Sequence, residues 1–177
     1  AGWSWAFDTP FDWFKQNASR LGGINQNMVV SWPARIKDKG ALREQFVHVI
    51  DVVPTILDAA GVKAPEMVDG IKQAPIEGTS FAYTFDPANA KTVSRHKTQY
   101  FEMFGQWALY NDGWLLSTKV NRAPWQVFGE ANTDPLNGQV FQLYNLGKDF
   151  NQTEDIAAQN PQKVKEMRQK FLAEAKK

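Results

Sequence analysis

The chain reads as α/β in its first half and as a small antiparallel sheet with a closing helix in its second. Three observations carry that reading. Residues 46–61, FVHVIDVVPTILDAAG, hold the start, apolar face and stop of a helix. Residues 28–32, Met-Val-Val-Ser-Trp, form a largely apolar run bounded by Pro33, and from Thr98 onward short alternating runs are separated by turn residues. The expected architecture is an α+β fragment. A strand and helix of a larger α/β domain occupy residues 1–90, and an antiparallel-sheet and helix subdomain occupies 91–177.

Each element has its own signal. Thr9-Pro10 followed by Asp12 resembles an N-cap, a proline at the first helical position and an acid in the first turn, so a short helix is expected over 10–20, ended by Gly22. The run at 28–32 is what a strand buried on both faces looks like. Asp51 is expected to cap the next helix, Pro54 falls in its first turn, and Val53, Ile56, Leu57 and Ala60 recur on one face. Gly61 supplies its left-handed stop. Residues 62–90, rich in Pro, Gly and Asp, are expected to be a long surface connection. Strands follow over 98–104, 106–110, 114–118 and 140–146, with a turn at Asn111-Asp112-Gly113 and a loop over 122–139. Asn160-Pro161 opens a last helix that presents Val164, Met167, Phe171, Leu172 and Ala175 together.

Composition excludes several classes. With 177 residues, 43% apolar and 22% charged, the chain suits one domain with a real core and not a disordered segment. Twenty basic residues against nineteen acidic ones give a net charge of +1, with no basic stripe of the kind that binds nucleic acid. There is no cysteine, so disulfides and thiolate metal sites are excluded. The longest apolar run is too short to cross a bilayer. AGWSWAFD has no signal-peptide pattern, and a first residue other than Met is expected of a processed or cut start.

In order along the chain stand T-P-F-x-x-x-K ending at Lys15, then Gly22-Gly23-Ile24, an apolar run ending in Trp32-Pro33, and D-x-x-P-T-I-L-D-x-A-G from Asp51. After these come YFEMFG, NDGW, QLYNL and an amphipathic helix. The series resembles the C-terminal portion of a sulfatase, arylsulfatase-like and of the alkaline phosphatase superfamily. That resemblance implies a parent that hydrolyses sulfate esters, with Ca²⁺ and formylglycine whose ligands and precursor lie outside this chain. It also implies a sulfate-ester substrate and the upstream catalytic portion of the same enzyme as partner. Alone, the chain is expected to be inactive and to self-associate, because the apolar strand would lack its neighbours. Two other readings stay open: a phosphodiesterase or phosphonate monoester hydrolase of the same superfamily, or a carbohydrate-binding module working through exposed tryptophans.

By that resemblance Lys15 is the catalytic residue, reaching the substrate sulfate and holding its charge as the ester breaks. Ser31-Trp32-Pro33-Ala34-Arg35 fits the S-x-P-x-R core of a formylglycine precursor, but Ile36-Lys37-Asp38 replaces the L-T-G continuation and Ser31 is expected inside a buried strand. Asn25-Gln26-Asn27 departs from the family's usual Arg-x-Pro after G-G-I, which marks a sub-branch. His48 is expected to pack at the start of the helix and His96, between Arg95 and Lys97, to lie on the surface. Asp149, Glu154 and Asp155 are too scattered for a calcium loop. Gly22-Gly23 is read as a tight turn and not as a phosphate cradle, since no G-x-G-x-x-G or Walker pattern surrounds it. Trp3, Trp5, Trp107, Trp114 and Trp125 suit packing better than a substrate pocket.

Overall fold

A computed structural model describes residues 2–120 and 138–177. Two compact units form: Ala1–Asn27 with Thr98–Lys177, and Met28–Lys97.

The first unit is built on a four-stranded antiparallel meander. Strands β3 (Thr98–Met103), β4 (Gln106–Asn111), β5 (Trp114–Thr118) and β6 (Phe141–Asn145) lie side by side in chain order. Asp112-Gly113 closes the β4–β5 hairpin with both residues at positive φ, which the right-handed strand twist favours in a two-residue turn. The same conformation at Phe104-Gly105 joins β3 to β4, so Phe104 leaves the expected strand. Across the sheet, Tyr100 opposes Leu109, Leu109 opposes Leu116, and Leu116 opposes Leu143. That row, with Trp107, packs on Met167 and Phe171 of α4 (Pro161–Glu174). The Phe171 and Trp107 rings stack 3.6 Å apart at 17°. The expected loop over 122–139 falls almost wholly outside the described residues, as does Trp125.

The N-terminal part departs from expectation. A seven-residue helix, α1 (Gly2–Asp8), precedes Pro10, and residues 10–20 form turns rather than a helix. The Thr9 hydroxyl explains the difference. It donates back to Ala6 O at 2.9 Å, closing α1 instead of capping a new helix. Asp12 is not a first-turn acid either, since it pairs with Arg20 at 3.6 Å.

In the second unit α3 (Val52–Ala60) ends on Gly61 at φ +67, in agreement with the sequence. Its start differs: residues 49–51 make a 3-10 turn first, and the Asp51 side chain caps no N–H of α3. Asp51 instead accepts the His48 N–H at 2.8 Å and the Thr79 N–H at 2.7 Å. The connection over 62–90 carries a two-stranded hairpin, β1 (Met67–Val68) with β2 (Ile71–Lys72), turned at Asp69-Gly70.

Residues 28–32 are not a buried strand. They adopt no ladder, and Val29 is 94% exposed. A strand is stable only against a hydrogen-bonding neighbour, and no strand among the described residues pairs with this segment. Ser31 is therefore exposed as well.

Candidate functional site

Lys15 lies in an exposed turn between two aromatic residues and a deeply anchored segment. Four consecutive residues after it are buried, from Asn17 to Arg20. The segment is held by its own turn, by the sheet and by Gln152. Asn17 Nδ2 donates to Phe14 O at 2.9 Å, Ser19 Oγ to Gln106 Oε1 at 3.4 Å, and the Leu21 N–H to Gln152 Oε1 at 2.7 Å. Arg20 donates to Gln142 Oε1 at 2.7 Å and to Gln152 O at 3.3 Å, with its guanidinium 5.2 Å from the Tyr144 ring centre. Burial pushes the Tyr144 phenol up to about 12, against the opposing pull of Arg20. Lys15 is thus an exposed cation next to an anchored segment, with no hydrogen bond or ion pair among the described residues.

Two features fix the turn. Gln16 takes a left-handed φ of 85°, a strained setting for a residue with a side chain. The short helix α2 (Leu21–Ile24) folds back so closely that a Cβ on Gly22 would overlap the Trp13 carbonyl and one on Gly23 the Asn17 carbonyl. The two glycines form a close backbone crossing, as the expected tight turn requires, but no strand follows. Beside the turn lies a cleft of about 260 Å³ lined by Gln16, Asn17, Ala18, Gly23 and Ile24 on one side and residues 100–103 on the other. Tyr100, pushed to about 12 by burial and then by Glu102, stays a protonated donor at that wall.

A second polar cluster was missed by sequence reasoning. His96 is buried, not on the surface, and its Nδ1 lies 2.8 Å from both oxygens of the fully buried Asp51. The histidine–carboxylate pair is thus His96 with Asp51, while His48, half-buried, packs edge-on to His96 at 6.3 Å. Forty-five residues separate the partners, and the flanking Arg95 and Lys97 disguise the histidine as solvated.

The described residues do not fit a calcium ion or a formylglycine. Among them no group of three or more His, Cys, Asp or Glu is placed around a common point. Asp149 is taken up by Thr153 and the Glu154 N–H, and Asp155 by the Leu143 and Ala157 N–H groups. Ser31 is reachable, which overturns burial as the reason to dismiss it; its missing L-T-G continuation still stands against it. Trp107 and Trp114 serve the core, whereas Trp3 and Trp5 are exposed on α1. No helix among the described residues is long and apolar enough to cross a membrane.

Residues 10–106 match the family described as N-sulphoglucosamine sulphohydrolase, C-terminal. A protein named Sulfatase from Formosa agariphila is 26% identical over 148 residues, covering 79% of this chain and 24% of that protein. An ulvan-active sulfatase from the same organism is 39% identical over 54 residues, 30% of this chain and 11% of that protein. Among solved structures, a chain described under "Metabolism of multiple glycosaminoglycans by bacteroides thetaiotaomicron is orchestrated by a versatile core genetic locus" superposes with a TM-score of 0.56 at 17% identity. That superposition covers 82% of this chain and 28% of that one, and it establishes the α+β fold. The chain thus spans about a quarter, or less, of the length of these relatives. With the family match extending over more than half of its residues, the chain belongs to the N-sulphoglucosamine sulphohydrolase C-terminal family and is a C-terminal sulfatase portion.

Proposed function

We propose that this chain is the C-terminal part of an enzyme that hydrolyses sulfate esters, and that Lys15 is its contribution to the chemistry. The observation that carries the reading is the match over residues 10–106, which includes the exposed Lys15 on its anchored turn. An ammonium there neutralises the charge that gathers on the sulfate and the departing oxygen as the S–O bond breaks. A lysine does so as a point charge on a flexible stem, and the buried segment behind it fixes where that stem starts. Residues 1–90 belong on this reading to the catalytic α/β domain and 91–177 to a C-terminal antiparallel-sheet and helix subdomain. Calcium and formylglycine, which the family suggests for the whole enzyme, are held by the part of the polypeptide outside this chain. The name of the ulvan-active relative supports a sulfated polysaccharide as the ester.

The test is Lys15→Ala in the full-length enzyme. It should lower kcat/KM for a sulfate ester by roughly 10²-fold, the scale of losing one charge-stabilising donor. The melting temperature should hardly change, since Lys15 is exposed. Wild-type kinetics in that variant would return Lys15 to the class of solvated surface charges.

A further inference from the structure

The segment Ser31-Trp32-Pro33-Ala34-Arg35, dismissed as a formylglycine precursor, builds a turn that gathers positive charge. From Met28 to Arg43 the sequence holds four cations, Arg35, Lys37, Lys39 and Arg43, against one acid, Asp38. Trp32 O accepts the N–H groups of both Arg35 and Ile36, at 2.9 and 2.8 Å, and so closes the turn. The flexible stems fold back over it. Lys37 Nζ donates to Pro33 O at 3.2 Å, and the Arg35 guanidinium lies 5.3 Å from the centre of the Trp32 ring. Two cations thus converge on adjacent residues, and Lys39 stands two positions beyond Lys37. All three are exposed, and none of them forms an ion pair among the described residues. Asp38 is spent on Arg43, which also donates from Nε to Thr84 O at 2.7 Å. Asp86, next to the Phe85 ring that meets Trp32 edge-on, is occupied by the Ala88 N–H at 2.9 Å.

We infer that the turn over residues 32–39 binds sulfate groups of a sulfated polysaccharide, as ligands to be held and not as esters to be cleaved. The inference rests on the proposed sulfate-ester activity and adds a second contact for the same class of substrate. The donors suit it. An ammonium has three N–H bonds, so Lys37 keeps two after Pro33 O is served, and no hydrogen bond among the described residues uses the five-donor fork of Arg35. Charge-assisted bonds from such donors to anionic oxygens are the strong ones. Unpaired cations are costly to bury against an apolar surface, so this turn needs water or an anion on it. A polymer with sulfate at intervals brings several anions at once, and each contact releases counterions. Nucleic acid is a poorer match, because its binders contact about 6–10 phosphates and three cations fall short of that.

The test is affinity electrophoresis of the full-length enzyme through gels that hold dextran sulfate, uncharged dextran or single-stranded DNA. Dextran sulfate should retard the wild type, and uncharged dextran should not. The triple variant Arg35→Gln, Lys37→Gln, Lys39→Gln should bind dextran sulfate about tenfold more weakly at low salt. Its slope of log Kd against log salt should flatten by about two, since each lost contact removes nearly one released counterion. A charge-conserving triple variant, Arg35→Lys, Lys37→Arg, Lys39→Arg, should bind as the wild type does, which separates loss of charge from loss of folding. Wild-type binding by the glutamine variant overturns the inference, and so does an equal loss in the charge-conserving one. Retardation by DNA as strong as by dextran sulfate also overturns it. Sulfate-ester hydrolysis by the wild type is assayed alongside. Retardation that depends on the three cations, in an enzyme without that hydrolysis, sinks the proposed activity and leaves the site standing. Hydrolysis with no difference in retardation does the reverse.

Discussion

Gly22 sets the position of the proposed catalytic lysine from seven residues away, because the Trp13 carbonyl occupies the space a Cβ would need. Gly22→Ala must push the 13–17 turn outward, at a cost on the order of 1–3 kcal/mol for overpacking. The expected result in the full-length enzyme is a lower kcat with the circular dichroism of the sheet retained; unchanged kcat would show that the turn does not place Lys15. His48 gives a pH signature. Burial first, then the charge on His96, hold its imidazole below the ordinary 6.5, against the opposing pull of Asp51. The unfolded chain therefore binds a proton there that the folded one resists, so stability falls as pH drops below 6.5 toward the depressed value and is unaffected above it. His48→Gln should flatten this part of the melting-temperature profile between about pH 8 and pH 5. A variant with the same acid slope as the wild type would place the titrating group elsewhere.

Helices α3 and α4 carry similar apolar patterns and use them differently. Met167 and Phe171 of α4 are buried on the sheet, with Phe171 stacked on Trp107. Phe171→Ala removes a large core side chain and should cost about 3–5 kcal/mol. Ile56→Ala on α3, in the chain of 177 residues by itself, should stay within about 0.5 kcal/mol, because that side chain already faces water. Urea titration of the two variants reads the contrast directly. Equal destabilisation would mean that α3 buries its aliphatic face within this chain. A helical stripe in a sequence announces that a face will be covered but not by what, and here the two helices resolve that differently.

The 177-residue chain bares apolar surface on α1, on residues 28–30 and on α3. Patches beyond a few hundred Å² favour association. By itself the chain should therefore gain apparent mass with concentration in light scattering and show no calcium-dependent turnover of an aryl sulfate. A monodisperse inactive monomer would contradict the first expectation, and turnover would contradict the placement of the catalytic groups outside this chain.

Local chemistry made the second half legible. The strands of the meander are sequence neighbours, and Asn111-Asp112-Gly113 specifies its turn without help from afar. Gly61 likewise stops α3 by its own conformational freedom. The family resemblance was legible too, because it rests on an ordered series of motifs that lies open in the sequence. Tertiary structure decided what depends on distant partners. Residues 28–32 have the composition of a buried strand, but a strand needs a neighbour's hydrogen bonds, and composition cannot supply them. His96 looks solvated beside two cations until folding brings Asp51, forty-five residues away, onto its Nδ1. Thr9 has the shape of a helix start, yet its hydroxyl donates back to Ala6 O and closes the preceding helix instead of accepting from an N–H of a following one, a choice that only the folded backbone makes.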